Sequence, residues 1–226
     1  MQKPKLPAVM CAASKAVLWR HKMRNDNGLI KKALALEWFT VSYNIVEGIV
    51  SVGFGVLAGS IALVGFGLDS AIEVSAAAIL IWRLSHRGSD EEAEEKEKKA
   101  LRFVGITFFA LAAYVLYESV SKLYLHEMPE KSIAGIIITA LSLLIMPFLS
   151  AKKKKVAKQI GSRALEADAM ETMICAYLSF AVLLGLTLNG FLGWWWADPV
   201  AGLAIVYFAV KEGLEVVKGE ECCSKD

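Results

Sequence analysis

The chain has 226 residues, 56% of them hydrophobic, and a mean hydropathy of +0.47. This exceeds what a soluble domain needs to fill one core, and the apolar residues come in long blocks, so the composition favours a polytopic membrane protein. A formal net charge of +2 gives no reason to expect a nucleic-acid partner, and four scattered cysteines exclude a secreted disulfide framework.

The first part of the chain predicts a basic arm followed by two membrane spans. Residues 1–32 are predicted to form a cytoplasmic arm, partly an amphipathic helix at the lipid headgroups. Residues 33–84 are long enough for two spans, with a turn at residues 57–60. Residues 83–99 are polar, and their acid-then-base spacing predicts a solvated loop or a helical extension of the third span.

Four more spans are predicted downstream, at residues 101–123, 133–149, 164–188 and from Asp198 to about Val216. The four lysines at 152–155 are expected to stop the fourth span, and Asp198-Pro199 is expected to cap the sixth, with proline at its first helical position. The prediction is therefore an all-α membrane protein with six transmembrane helices in residues 33–216 and a short cytoplasmic tail in residues 217–226.

The orientation follows from where the positive charges lie. Every lysine and arginine except Lys122 and Lys131 falls on one side of this six-span arrangement, if Lys211 reaches that side by snorkelling. The positive-inside rule then predicts that both termini are cytoplasmic. A cell-membrane location is expected.

Two carboxylates interrupt the second span. Asp69 and Glu73 are four residues apart, and no Lys, Arg or His occurs between Ala33 and Trp82. A charged carboxylate at the centre of a bilayer costs about 2.5–3.5 kcal/mol on insertion scales, so this pair needs a cation, a proton or a water-filled cavity. A metal or proton transport site is favoured over the alternative, two protonated carboxyls hydrogen-bonded between helices.

A short repeat supplies a second pair. The motif Gly59-Ser60-x-Ala62-Leu63 recurs as Gly161-Ser162-x-Ala164-Leu165, an offset of 102 residues. The same offset carries Asp69 and Glu73 onto Glu171 and Cys175. Because three spans separate the two copies, spans two and five run in opposite directions, as in the inverted repeats of transporters, here with three helices in each half.

Residues i and i+4 share one helix face, so each pair presents two donor atoms side by side. Together Asp69, Glu73, Glu171 and Cys175 would form a metal site of three carboxylates and one sulfur. Four donors of this kind suit zinc and also admit manganese, iron or cobalt, whereas the thiol disfavours magnesium and calcium.

Other polar residues are assigned accessory roles. Asp168 is interpreted as a group that supports the ligands, as an acid at the cytoplasmic entry of the path, or as a residue that simply lies near the headgroups. Asn44 and Glu47 share a face of the first span, and they either belong to the site, pack between helices or make a hydrogen bond between helices. The adjacent thiols Cys222 and Cys223 would bind a soft metal or belong to a disordered tail. His21, His86 and His126 are assigned to no site.

These residues together resemble a known family. The sequence is similar to the cation diffusion facilitators, six-span exporters of divalent metals, over residues 36–216. The resemblance is carried by Glu47, Gly59-Ser-Ile-Ala-Leu63, Asp69-x-x-x-Glu73, Glu118, Ala167-Asp168-x-x-Glu171-x-x-x-Cys175 and Ala197-Asp-Pro-Val200.

The resemblance implies a homodimer that exports zinc or a related ion from the cytoplasm by antiport against protons. The family's ligand pairs are usually Asp or His with Asp, so Glu73 and Cys175 are departures that affect ion preference. The expectation is a short form lacking the family's cytoplasmic C-terminal domain, with dimerisation through the membrane domain. The family's Gly- and His-containing motif before span three is replaced by the charged loop, so no second metal site is carried over.

Three other functions are less favoured. A non-transporting metal sensor or assembly protein would use the same ligands without turnover. A proton-coupled carrier of organic cations would need a larger aromatic cavity, and the residues around Asp69 are small. An enzyme is not expected, because the spans contain no nucleophile paired with a base, no phosphate loop and no cofactor motif.

Overall fold

The computed structural model describes residues 27–85, 91–127 and 129–218. These residues form six α-helices and, within the described ranges, no strand. The helices are α1 (Asn27–Ala58), α2 (Ile61–Ser85), α3 (Glu91–Leu125), α4 (Ile133–Ile160), α5 (Arg163–Leu192) and α6 (Ala197–Lys218). The basic arm is thus described only from Asn27, where it is already continuous with α1, and the tail with Cys222 and Cys223, like His21 and His86, lies outside the described residues.

The arrangement of polar and apolar side chains is that of a membrane protein. Among the described helices, α1 to α5 are long and apolar enough to cross a membrane, whereas α6, which carries charges such as Asp198 and Lys211, is not in that group. Large apolar side chains point outward, including Ile49, which is 70% exposed, and Phe148, which is 74% exposed. The prediction of an all-α polytopic membrane protein is confirmed.

Helix pairing places α2 and α5 beside each other. Helix α1 packs mainly against α2, α4 against α5, and α3 against α6, while α2 also contacts α3, α5 and α6. The main core contains Leu63 and Phe66 of α2 with Leu178 and Val182 of α5, all fully or almost fully buried. This packing brings the two helices that carry the predicted ligand pairs into contact.

Both copies of the Gly-Ser repeat form the N-terminal cap of a helix. Gly59 and Gly161 both adopt a left-handed backbone, with φ of 64° and 69°, which glycine tolerates without a Cβ clash. Each following serine caps its helix, Ser60 accepting from the Leu63 amide at 3.1 Å and Ser162 from the Leu165 amide at 3.3 Å.

The two copies of the repeat lie at opposite ends of α2. Ser60 directly precedes α2, whereas Leu165 of the second copy and the adjacent Ile160 pack with Leu84 near the last turn of α2. We call this second end, which lies at Leu84, Ile160 and Leu165, the basic end, because Arg83 and Lys158 lie in the last turns of α2 and α4. The placement matches the opposite directions predicted for spans two and five.

The helix of span four does not end at the four lysines that were expected to stop the span. Helix α4 continues through all of them to Ile160 and ends at Gly161, whose amide donates back to the Ala157 carbonyl. Lysine is a good helix former, and Lys153 is fully buried because its ammonium pairs with carboxylates of two other helices. The charged residues before span three likewise continue a helix, since α3 begins at Glu91, as one of the two alternatives predicted.

The expected capping role of Asp198 is also wrong. Helix α6 begins at Ala197, so Pro199 is not its first residue, and the Asp198 carboxylate instead caps α2. One oxygen accepts from the Ser60 hydroxyl and the other from the Ile61 amide at 3.0 Å. The carboxylate therefore supplies an acceptor at the start of α2, where helical amides lack partners of their own.

Helices α1 and α2 approach closely at glycines, which gives a stability prediction. A Cβ on Gly55 would lie 2.8 Å from the Val64 backbone nitrogen, whereas a Cβ on Gly53 would meet nothing within 4 Å. We expect Gly55→Ala to destabilise the bundle by about 1–3 kcal/mol, because the two backbones must separate.

Gly53→Ala is the matched control on the same helix and should be neutral or stabilising by up to about 1 kcal/mol, since alanine is the better helix former. Thermal unfolding of both variants in the same detergent measures the difference. Equal unfolding midpoints for the two variants would contradict this account of the α1–α2 contact.

Candidate metal site

Two ligand-type side chains lie on one face of α2. Asp69 and Glu73 are separated by one helical turn, and each is only 5% exposed. They face the interior of the bundle because the surface of α2 on which they lie packs against the neighbouring helices. Their burial within an apolar bundle is the situation in which carboxylates need a compensating partner.

Helix α5 adds a sulfur to this pair. Cys175 is 1% exposed, and its Sγ and one carboxylate oxygen each from Asp69 and Glu73 all lie within 4.8 Å of one another. Three donors so arranged, two oxygens and one sulfur, match the mixed chemistry that zinc accepts. This cluster of Asp69, Glu73 and Cys175 is called the donor cluster below.

Glu171 lies in the same pocket but outside this closest group. The pocket is lined by Asp69, Glu73, Glu171 and Cys175 together with five other side chains, none of them basic. These are Phe108, Ile174, Leu178, Phe208 and Ala209. The structure thus brings all four predicted ligands to one pocket, three of them in close mutual range, and surrounds them with apolar walls.

Helix α1 supports the ligands from behind. The Asn44 amide donates to a Glu73 carboxylate oxygen over 2.5 Å, so Asn44 makes the hydrogen bond between helices that was one of its predicted alternatives. Glu47 accepts from the Ser70 hydroxyl at 3.0 Å. Both residues are fully buried, and neither belongs to the donor cluster.

Asp168 takes part in a different group of charges. Its carboxylate accepts from the Lys153 ammonium at 2.6 Å, and the same ammonium donates to Glu37 at 3.1 Å. Asp168 has no basic residue within its own span, but Lys153 of α4 supplies the cation that pairs with it. Sequence reasoning missed both Lys153 and Glu37.

A sequence signal for Glu37 existed. Five polar residues of α1 recur at intervals of three or four, and all are at most 2% exposed: Glu37, Thr40, Asn44, Glu47 and Ser51. This spacing defines a single helix face, here called the polar stripe. In a membrane span, such a stripe indicates the face that points into the bundle. Lys153 has no comparable signal, because it stands in a row of four lysines.

Comparison with known proteins now identifies the family. Residues 38–219, well over half of the chain, match the cation efflux transmembrane domain. The chain belongs to the cation diffusion facilitator family. The match includes α2, α5 and every residue of the donor cluster.

Individual relatives of this cation diffusion facilitator are distant. Transmembrane protein 163 of Xenopus laevis is 25% identical over 190 residues, covering 83% of this chain and 66% of that protein. Magnetosome protein MamB of Magnetospira sp. (strain QH-2) is 27% identical over 187 residues, covering 79% of this chain and 63% of MamB. The cation-efflux pump FieF of Shewanella oneidensis is 25% identical over 87 residues, covering 38% of this chain and 29% of the pump. The chain therefore spans about two thirds or less of the length of these relatives.

Proposed function

We propose that this protein transports a divalent transition-metal cation across a membrane, with zinc as the main substrate. The observation that carries the proposal is the donor cluster, in which two carboxylates and a thiol from different helices converge in a pocket without a basic residue. Membership in a family of cation efflux proteins supports the same function. Manganese, iron and cobalt remain within the range that this donor set accepts.

Protons provide the coupling. Carboxylates and a thiol must lose their protons to bind a dication, so loading the metal releases protons and reprotonation of Glu73 or Glu171 on the other side releases the metal. The Asn44 hydrogen bond holds one Glu73 oxygen and leaves the other for the ion. The result is metal–proton antiport at a single site.

Alternating access moves the site between the two sides. Helices α2 and α5 carry the ligands from the two inverted halves, so a rocking of one half against the other would change the accessible side without dismantling the pocket. The distribution of lysine and arginine supports cytoplasmic termini. Membership in a family of cation efflux proteins supports export from the cytoplasm, with the cell membrane as the proposed location. Dimerisation would use the membrane domain.

Reconstitution tests the proposal. The purified chain in proteoliposomes, with a pH-sensitive dye inside, should move zinc and an opposing flux of protons, and unlabelled manganese or cobalt added in a series should compete with zinc. Stoichiometric metal binding without any flux would instead favour a sensor or an assembly protein. Neither binding nor flux for any of the three metals would overturn the proposal.

A further inference from the structure

The buried group around Lys153 has the form of a filled cation site. Three oxygens from two helices surround one ammonium: Glu37 at 3.1 Å, Asp168 at 2.6 Å and the Thr172 hydroxyl at 3.3 Å. Lys153 and Glu37 are fully buried, and Asp168 is 12% exposed. The cation at the centre of these oxygens belongs to the chain itself.

Two acidic side chains, Glu37 and Asp168, share the single ammonium of Lys153. The second Glu37 oxygen is buried without a hydrogen-bond partner. Burying an unpaired polar atom is unfavourable, and burying an unpaired charge is more so. The free Glu37 oxygen can therefore take either a proton or a second cation.

The group lies on the same helix faces as the metal pocket. On α5, Asp168, Glu171, Thr172 and Cys175 follow the i, i+3, i+4, i+7 spacing of one face. On α1, Glu37 is the first residue of the polar stripe, which leads through Thr40 to Asn44 beside Glu73. Both faces thus run from the donor cluster toward the basic end, where α5 begins.

Unpartnered atoms mark this stripe along its length. Glu37, Asn44, Glu47 and Ser51 each keep one buried side-chain oxygen without a hydrogen-bond partner. Buried oxygens are normally satisfied, so a row of four along one helix face points to a ligand or solvent that passes there. Cations and their water are the species that such oxygens would bind.

We infer that Glu37, Asp168 and Thr172 form a relay site for the divalent cation, which Lys153 occupies in the state described here. The inference rests on the proposed transport function. A metal ion arriving from the basic end displaces the Lys153 ammonium, binds the three oxygens and passes along α5 to Glu171 and the donor cluster. Because the relay site contains only oxygen donors, discrimination between metals falls to Cys175.

Lys153→Met tests the site by removing the competing charge while keeping most of the side-chain volume. Manganese binding to the full chain in nanodiscs is measured by equilibrium dialysis and by electron paramagnetic resonance. Lys153→Met should bind about one more manganese ion per chain than the wild type, because the freed oxygens suit this ion. Lys153→Arg, which keeps the charge, should bind no additional ion. Equal manganese binding by Lys153→Met and the wild type would overturn the inference.

The triple variant Glu37→Gln/Lys153→Met/Asp168→Asn removes the charges from the relay site and should lose the additional ion. If folded Lys153→Met protein can be purified only in buffers that contain manganese, the ion replaces the lost ammonium and the inference stands. If folded protein is obtained only when Glu37→Gln and Asp168→Asn are added, and manganese has no effect, Lys153 has a purely structural role and the inference fails.

A variant without the main site separates this inference from the proposed function. In an Asp69→Asn background, adding Lys153→Met should still create manganese binding, even if the wild type proves unable to transport. In proteoliposomes of a transporting wild type, Glu37→Gln should raise the metal concentration for half-maximal flux by about tenfold, the lower range for residues that support a metal site. An unchanged half-maximal concentration would exclude the relay site from the transport path.

Discussion

Replacing Asp69 by asparagine is expected to lower zinc flux by about 100-fold or more. Loss of a residue that only supports a metal ligand typically costs 10–100-fold in affinity or activity, so loss of a ligand should cost at least the upper value. Asparagine has the same shape as aspartate but cannot supply the negative charge that balances a dication in this apolar pocket. Glu171→Gln should also reduce flux, because Glu171 lines the same pocket.

The measurement is initial zinc uptake into proteoliposomes that contain equal amounts of each variant. Glu166→Gln is the matched control, since it removes a carboxylate from α5 that does not line the pocket, and it should retain the parental rate. Gel filtration verifies that the variants are folded. If Asp69→Asn and Glu171→Gln both transport zinc, manganese and cobalt at the parental rate, the assignment of the site is wrong.

Asp198→Ala is expected to destabilise the bundle by about 2–4 kcal/mol. The change leaves the Ser60 hydroxyl and the Ile61 amide without their acceptor in a buried position, and each unsatisfied group costs about 1–3 kcal/mol. Asp198→Asn should have a smaller effect, because its amide oxygen still accepts from one of the two donors. Unfolding midpoints in detergent, converted to free energies, measure the effect.

Glu127→Ala serves as the control for removal of a carboxylate. Glu127 is 53% exposed and pairs with Lys122 at 3.5 Å, so its loss should change stability by less than about 1 kcal/mol. A comparable effect of Asp198→Ala and Glu127→Ala would mean that the cap on α2 contributes little to stability.

Sequence features predicted the four acidic and thiol residues that meet in the candidate site. Asp69 and Glu73 stood out because a carboxylate pair in an apolar span is rare and costly, and their shared face follows from helix geometry alone. The repeat then led to Glu171 and Cys175, since Gly59-Ser60 and Gly161-Ser162 start their helices in the same way. These predictions needed only helix geometry and a repeated motif, and the structure brings the four residues to one pocket.

Features that depend on contacts between distant helices were predicted poorly. Lys153 was grouped with three other lysines as a stop signal, but its environment is set by Glu37, 116 residues earlier, and by Asp168 on α5. Asp198 was assigned to its own helix, although its partners Ser60 and Ile61 precede it by 138 and 137 residues. Sequence spacing contains no direct measure of such distances.

The sequence by itself determined that this is an all-α membrane protein and that Asp69 and Glu73 share one helix face, because hydropathy and the helical period act locally. Only the tertiary structure decided that Cys175 lies within 4.8 Å of Asp69 and Glu73, that Asn44 holds Glu73, and that a fully buried lysine lies between two acids. The physical reason is that a charge in an apolar bundle is stable only beside its partner, and helix packing alone determines which residues become partners.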